Sequence, residues 1–226
     1  MSRHERTERV LGAEGLARLR QAHVAVFGLG GVGSYAAEAL ARAGVGRMTL
    51  VDGDVVQESN INRQLCALYS TLGMKKTDVV AARLRDILPE IELECLPVFF
   101  GADTALDMTG WDFAVDAIDT VTSKVELIVR ARAAGVPVIS CMGAGNKLHP
   151  ESFMIDDVSR TSVCPLARAV RKQLRERGIE RGVAAVYSTE EPAINARPPG
   201  SLSFVPGAMG LVAAGYVIRQ LSGIEE

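Results

Sequence analysis

A short apolar strand that runs into a glycine-rich turn and then a helix constrains the fold of this chain more than any other feature. Residues 23–34 read HVAVFGLGGVGS, with glycines at Gly28, Gly30, Gly31 and Gly33. Successive glycines let backbone N–H groups approach a phosphate, and the positive end of the following helix favours its negative charge. We therefore expect an α/β fold that binds a nucleotide here. The alternative is a tight strand-to-helix turn that binds nothing.

Strands and helices alternate along most of the chain, which predicts a Rossmann-like, doubly wound and mainly parallel sheet. The patterns predict strands at 24–27, 48–51, 91–96, 113–117 and 136–141 and helices at 8–21, 32–43, 75–88 and 121–133. After residue 143 they predict strands at 153–158 and 183–187, helices at 163–177 and 206–221, and a loop at 188–203. We expect a single domain over 1–226, with a nucleotide-binding core at 5–142 and a C-terminal extension at 143–226.

Two carboxylates follow the second predicted strand. Asp52 ends that strand, where a carboxylate can bind the hydroxyls of a ribose. The alternative is that Asp52 caps the turn formed with Gly53 and Asp54. Asp54 is suited to orient the loop or a metal ion.

Polar and cationic residues follow in a dense cluster. Asn60, Arg63 and Gln64 lie after the strand, and Lys76 opens the next predicted helix. The planar fork of an arginine suits phosphate oxygens, and a lysine grips phosphate as a point charge. A helix N-terminus disfavours cations, so the lysine there indicates an anionic ligand, although a solvated loop and helix start remain the alternative. A plain dinucleotide fold needs no such arginine, so we expect chemistry on phosphates rather than hydride transfer.

A further pair of carboxylates closes the fourth predicted strand. Asp119 lies where a bound triphosphate needs Mg²⁺, an ion that is commonly held by one or two carboxylates, water and substrate phosphates. Asp116 is equally suited to cap the next helix or to order the loop.

Basic residues are concentrated on one predicted helix, although the net charge of the chain is −2. They include Arg168, Arg171, Lys172 and Arg175. Such a patch is suited to dock RNA phosphates, whereas the alternative is a solvated helix face.

The four cysteines form no C-x-x-C pair, which argues against a structural zinc site and suits reduced thiols in a cytoplasmic protein. Cys164 precedes Pro165 at a helix start, where a thiolate is favoured, so it is either a nucleophile or a buried thiol.

The charged N-terminus does not resemble a secretory signal. The apolar tract at 202–218 contains Pro206 and glycines and is short for a membrane span, which favours a core or subunit-interface helix and no membrane partner.

Taken in order, these motifs resemble the adenylating domain of the ubiquitin-activating (E1-like) superfamily. The matching pieces are G-x-G-G-x-G from Gly28, D-x-D from Asp52, S-N-I-N-R-Q from Ser59, G-x-x-K from Gly73 and D-A-I-D from Asp116. In that superfamily a carboxylate attacks the α-phosphate of ATP, giving an acyl-adenylate and pyrophosphate. The resemblance implies an E1-like adenylation fold and catalytic roles for Arg63, Lys76 and Asp119, with Mg²⁺ on Asp119. It also implies that ATP contacts Gly28, Gly30, Gly31, Gly33, Asp52, Asp54, Asn60, Arg63, Gln64, Lys76 and Asp119.

Within the superfamily, the second half of the chain resembles the tRNA threonylcarbamoyladenosine dehydratase branch. The matching pieces are G-A-G at 143–145, D-D-V-S-R-T at 156–161, P-L-A at 165–167 with the basic helix, Y-S-T-E at 187–190 and S-F-V-P-G at 203–207. The chain lacks the two C-x-x-C pairs usual in activators of sulfur carriers, and it has no room for the catalytic-cysteine domain of the eukaryotic activators. In this branch an aspartate often stands at the position of Cys164, which weakens its assignment as a nucleophile.

The resemblance implies a substrate, partners and a location. The substrate would be tRNA carrying threonylcarbamoyladenosine at position 37, held by Arg168, Arg171, Lys172 and Arg175 and cyclised with ATP. A homodimer in the cytoplasm is expected, in which the arginine matching Arg63 often reaches the partner's ATP. A sulfur-transfer partner (a cysteine desulfurase or sulfur acceptor) and a Na⁺ or K⁺ site are left open. The alternatives are an adenylyltransferase that activates the C-terminus of a ubiquitin-like sulfur carrier, an NAD-dependent dehydrogenase and a non-catalytic nucleotide-binding scaffold.

Overall fold

A computed structural model describes residues 3–192, 194, 196 and 198–224. It contains one seven-stranded sheet in the order β3-β2-β1-β4-β5-β7-β6. The strands are β1 (His23–Phe27), β2 (Arg47–Val51), β3 (Glu92–Leu96), β4 (Phe113–Asp116), β5 (Val138–Cys141), β6 (Phe153–Asp157) and β7 (Ala184–Ser188). Only the β6–β7 pairing is antiparallel. The predicted mainly parallel α/β fold is confirmed.

The α-helices cover both faces of this sheet. They are α1 (Glu5–Gln21), α2 (Gly33–Ala43), α3 (Lys76–Ile87), α4 (Val121–Ala133), α5 (Pro165–Glu176) and α6 (Phe204–Ser222). Every residue of β1 is buried, which is the pattern of a parallel strand with helices on both sides. Leu40 and Met209 pack on one face of the sheet, and Phe27 and Leu127 pack on the other.

Helix α1 differs from the expected regular helix. It begins at Glu5, and Gly12 interrupts it with φ 72° and ψ 166°. A positive φ of this size is readily adopted by glycine, which has no Cβ to clash with the backbone. The amphipathic pattern on either side of Gly12 is unaffected by this kink, so sequence periodicity alone does not reveal it.

Helix α6 accounts for the most apolar tract of the sequence. Among the described residues it is the one helix with the length and apolar character to cross a membrane. However, Val205, Met209, Ala213 and Val217 are fully or almost fully buried in the same core cluster as β1 and α2. This burial is the pattern of a core helix.

The register of the sheet aligns the functional segments at one edge. Phe27 pairs with Val51 on one side and with Asp116 on the other, and Asp116 pairs with Ser140. The residues that follow these strand ends therefore lie beside one another. Ligands of open α/β sheets bind beyond the carboxyl ends of the strands, at the point where the strand order reverses, which here lies between β1 and β4.

Candidate active site

The glycine turn between β1 and α2 is shaped by close backbone approaches. Gly28 has φ +83°, and its N–H donates to the carbonyl of Val51 at 2.8 Å. A Cβ on Gly33 would lie 1.7 Å from the carbonyl oxygen of Gly28, so only glycine fits there. Ser34 then begins the helical hydrogen bonding by donating its N–H to the carbonyl of Gly30 at 3.2 Å.

A cavity of about 500 Å³ opens beyond this turn at the carboxyl ends of the strands. Its walls include most of the residues predicted to contact a nucleotide, namely Gly28, Gly30, Gly31, Asp52, Asp54, Asn60, Arg63, Gln64, Lys76 and Asp119. Gly33 is not among them, and its close packing on Gly28 is sufficient reason for a glycine at that position. Residues from five separate segments of the chain therefore meet in one cavity.

Asp52 connects the end of β2 to the glycine turn. Its Oδ2 accepts the N–H of Leu29 at 2.6 Å, and its Oδ1 accepts the N–H of Asp54 at 2.8 Å. Asp52 therefore caps the turn, as the alternative prediction from the sequence states. Each carboxylate oxygen has further lone pairs, so the same side chain can also accept hydrogen bonds from ribose hydroxyls.

Lys76 pairs with Asp54, a contact that the sequence did not suggest. The ammonium Nζ of Lys76 lies 2.8 Å from Oδ2 of Asp54, and the N–H of Lys76 donates to the carbonyl of Asp54 at 3.0 Å. The Lys76 side chain is 5% exposed and that of Asp54 is 48% exposed. Asp54 therefore holds the lysine at the first turn of α3, within the cavity wall.

The cluster after β2 is fixed by short-range hydrogen bonds. Oδ1 of Asn60 accepts the N–H of Gln57 at 3.0 Å, which caps a short 3₁₀ helix. Nη1 of Arg63 donates to the carbonyl of Ser59 at 2.9 Å and to Oδ1 of Asn62 at 2.8 Å. The buried Oε1 of Gln64 has no hydrogen-bond partner among the residues that the structure describes. A buried polar atom without a partner in a cavity wall is what a ligand-binding site provides.

A buried ion pair lies directly below the loop that follows β4. Oδ2 of Asp116 lies 3.0 Å from Nζ of Lys124 and accepts the hydroxyl of Ser140 at 2.5 Å, while its Oδ1 accepts the N–H of Ile118 at 3.2 Å. Asp116, Lys124 and Ser140 are all fully buried. Asp116 thus orders the loop, which is one of the two roles that the sequence predicts for it. Neither Lys124 nor Ser140 was anticipated, because a single lysine in a helix or serine in a strand carries no distinctive pattern.

Asp119 lies on this ordered loop, exposed to solvent at the cavity. Its Oδ1 accepts a hydrogen bond from the hydroxyl of Thr120 at 3.2 Å. Over the described ranges, no three His, Cys, Asp or Glu side chains converge on one point. A single carboxylate fits Mg²⁺ held mainly by nucleotide phosphates and water, because that ion keeps much of its hydration shell.

Aromatic residues form another part of the cavity wall. Phe99 packs on Gly53, where a Cβ would lie 2.7 Å from its ring, and both line the cavity together with Phe100. The guanidinium of Arg130 lies 5.2 Å from the centre of the Phe100 ring and donates to two carbonyls, of Thr104 at 2.7 Å and Leu106 at 2.8 Å. Sequence reasoning missed this wall, because its segment carries no motif.

A second cavity of about 580 Å³ adjoins the first. The two share the walls formed by Val32, Ala117, Ile118, Asp119, Ala144, Gly145 and Pro199. Among the described residues, the remaining walls of the second cavity are largely apolar and include Met142, Leu166 and Pro192, together with the cation Lys147. Sequence reasoning did not find this cavity, since its walls come from distant segments.

Two cysteines lie beside the second cavity. Burial raises the pKa of Cys141 to about 12, so its thiol stays protonated at neutral pH. Cys164 is 3% exposed, and a Cβ on Gly143 would lie 3.3 Å from its Sγ. Cys164 donates no hydrogen bond to a base among the described side chains, which favours a buried packing role over that of a nucleophile.

The basic residues of α5 do not line either cavity. Arg168, Lys172 and Arg175 are exposed and follow helical spacing along one face. Arg171 differs from them, because its Nη1 donates to the carbonyl of Thr161 at 2.5 Å and also contacts the Thr161 hydroxyl. This arginine holds the segment before α5, so a basic surface on this helix rests mainly on the other three.

A family model described as the ThiF family matches residues 1–226 of this chain. The chain is 42% identical over 236 residues to a Bacillus subtilis protein named tRNA threonylcarbamoyladenosine dehydratase, covering 96% of this chain and 93% of that protein. It is 38% identical over 193 residues to the Escherichia coli protein of the same name, covering 81% of this chain and 72% of that protein.

Solved structures of a protein with that name are also similar to this chain. The Escherichia coli dehydratase in complex with ATP superimposes with a TM-score of 0.92 at 34% identity, covering 98% of this chain and 94% of that one. Its complex with AMP matches with a TM-score of 0.90.

Proposed function

Because this chain belongs to the ThiF family, we propose that it is an ATP-dependent tRNA threonylcarbamoyladenosine dehydratase. The similarity to the Bacillus subtilis protein of that name extends over 96% of the chain and therefore includes most of the segment after residue 143. The observation that carries the proposal is the pair of adjoining cavities. One has the polar and cationic walls that a nucleotide requires, and the other has the apolar walls that a modified base requires.

In the first step a carboxylate oxygen of the threonylcarbamoyl group attacks the α-phosphorus of ATP, and pyrophosphate leaves. Arg63 and Lys76 bind phosphate oxygens and stabilise the charge that develops on them. Lys76 exchanges part of its interaction with Asp54 for the phosphates, while Gly28, Gly30, Gly31 and Asp52 hold the nucleotide. Asp119 is the residue that would hold Mg²⁺, which supplies positive charge to the phosphates when bound.

In the second step a nucleophile within the same side chain attacks the activated carbonyl. A ring closes, AMP leaves and one water is lost overall. Ring closure is intramolecular, so its rate depends on how the two groups are held rather than on a protein nucleophile. The burial of Cys141 and Cys164 is consistent with a reaction of this kind.

The tRNA is proposed to lie on the side formed by residues 143–226, with the core at 5–142 holding the nucleotide in the same single domain. The exposed cations Arg168, Lys172 and Arg175 would contact phosphates of the tRNA. We propose no membrane partner and a cytoplasmic location, where tRNA is found.

A homodimer is also part of the proposal. Exposed apolar side chains lie close in sequence after Arg63, at Leu68, Tyr69, Leu72 and Met74. A cluster of this kind is suited to a subunit contact. It would place Arg63 near a partner, as in the dimers of related adenylating enzymes.

The experiment that tests the proposal measures AMP and pyrophosphate release from ATP in three parallel reactions. One contains tRNA with threonylcarbamoyladenosine, one contains the same tRNA without the modification, and one contains a ubiquitin-like carrier ending in Gly-Gly. We expect release with the modified tRNA alone. Release only with the carrier would instead establish the carrier-activating function.

A further inference from the structure

Lys147 is a buried cation in the wall of the second cavity. The residue is 5% exposed, and its ammonium donates a hydrogen bond to the backbone carbonyl of Glu190. Within the described part of the chain, no carboxylate lies within 4.0 Å of this ammonium. Its partner is thus a neutral oxygen.

The nearby carboxylate of Glu190 is engaged elsewhere. Its Oε1 accepts the N–H of Leu148 at 2.8 Å, and its Oε2 accepts the N–H of His149 at 3.0 Å. Burial alone would raise the pKa of Glu190, but these hydrogen bonds and the charges of His149 and Lys147 lower it. Glu190 therefore stays ionised and holds the loop that carries Lys147, at a distance beyond that of an ion pair.

An ammonium is costly to bury unless an anion compensates its charge. Among the described residues of the lining, Asp119 at the boundary of the two cavities is the one carboxylate, and Glu190 compensates the charge of Lys147 only from beyond ion-pair distance. A ligand that brings its own carboxylate into the second cavity would complete the site. The shared wall at Ile118, Asp119, Ala144 and Gly145 means that such a ligand would also face the nucleotide cavity.

We propose that Lys147 binds the carboxylate of the threonylcarbamoyl group in the second cavity and holds it toward the nucleotide, an assignment that rests on the proposed function. The need for a cation there is electrostatic. The substrate carboxylate and the triphosphate are both anions, and they must approach each other before the carboxylate attacks the α-phosphorus. A fixed ammonium beside the carboxylate reduces that repulsion, so its main effect is on binding of the modified tRNA.

The test compares Lys147→Met, which keeps the length of the side chain but removes its charge, with Lys147→Arg, which keeps the charge. Lys75→Met is the matched control, since Lys75 is exposed and lines neither cavity. We expect Lys147→Met to raise KM for the modified tRNA about 10- to 100-fold, as loss of a charge-assisted hydrogen bond predicts. Lys147→Arg should recover part of this loss, and Lys75→Met and the Kd for ATP should not change.

A second measurement separates carboxylate binding from a structural role in holding the Glu190 carbonyl. The free nucleoside and its primary amide, in which the carboxylate is replaced by a neutral group, are compared as competitive inhibitors. The wild-type protein should prefer the acid, and Lys147→Met should bind acid and amide equally. Equal weakening of both inhibitors, or an unchanged KM, would overturn the assignment. Absence of turnover in the wild type would instead count against the proposed function.

Discussion

The ammonium of Lys124 and the carboxylate of Asp116 lie 3.0 Å apart, and neither side chain is exposed to solvent. The pair joins α4 to the end of β4, and the hydroxyl of Ser140 adds β5 through Oδ2 of Asp116. The N–H of Ile118 donates to Oδ1 of Asp116. The loop that carries Asp119 therefore rests on a buried, charge-balanced support.

Lys124→Met tests this support. Removing the ammonium leaves the Asp116 carboxylate buried without its counter-charge, so we expect the free energy of unfolding to fall by about 3–5 kcal/mol. Urea denaturation measures the change, and Lys75→Met on the surface is the control. Adding Asp116→Asn to Lys124→Met should recover part of the loss. A Lys124→Met protein as stable as the wild type would contradict the role of the pair.

Gly33→Ala tests the backbone contact that shapes the glycine turn. The new Cβ would lie 1.7 Å from the carbonyl oxygen of Gly28, and neither backbone segment can move without disturbing β1 or α2. We expect a loss of at least about 3 kcal/mol in the free energy of unfolding. Gly30→Ala is a matched control for stability, because its nearest neighbour would be 3.7 Å away. Equal stability of the two variants in urea would refute the argument.

Lys76→Met separates phosphate binding from folding. The Asp54 partner is about half exposed, so loss of their ion pair should change the free energy of unfolding by less than about 1 kcal/mol. Loss of the proposed phosphate contact should lower kcat/KM by about a hundredfold or more. Pyrophosphate release measures the second effect. Near-normal turnover in Lys76→Met would remove this residue from the catalytic assignment.

The buried His23 should make stability depend on pH. Burial is the main cause that lowers the pKa of His23 from 6.5, and the charge of Arg47 lowers it further. The folded state thus favours the neutral ring, which is bonded to the hydroxyl of Thr49 at 2.9 Å. The unfolded state takes up more protons in acid, so this stabilisation is present above about pH 6.5 and is lost as pH falls through the lower folded pKa.

Urea midpoints at about pH 7.5 and about pH 5.5 measure this dependence. The urea midpoint of the wild type should be lower at the acidic pH than at the higher pH. The midpoint of His23→Gln should decrease by less. Some pH dependence should remain, because burial also lowers the pKa of His4. Identical falls in the wild type and His23→Gln would show that His23 does not contribute.

Local signals made much of the fold predictable. The glycine turn, the aspartate at the end of β2 and the lysine at the start of α3 are each short patterns with a direct physical reason. Parallel strands then bring these segments to one edge, so the location of the nucleotide cavity followed from the order of the elements. The kink at Gly12 did not follow, since the apolar pattern continues across it.

The parts that sequence reasoning missed depend on tertiary contacts that no local sequence pattern specifies. Lys124 pairs with a residue of the preceding strand, and its burial is set by the packing of α4 on the sheet rather than by its neighbours in sequence. Arg130 reaches carbonyls 24 to 26 residues away. Asp54 was expected near the nucleotide, and its ion pair with Lys76 depends on a loop whose shape no motif specifies. The second cavity was missed for a similar reason, since its walls come from segments that are distant in sequence.

The most direct test of the central claim is mass spectrometry of the nucleosides of a tRNA that carries threonylcarbamoyladenosine. The tRNA is incubated with the protein, ATP and Mg²⁺ and then digested. The account predicts that the modified nucleoside loses the mass of one water while AMP and pyrophosphate appear in equal amounts, and that Asp119→Ala abolishes this conversion. An unchanged nucleoside, with protein that is folded and binds ATP, would contradict the account.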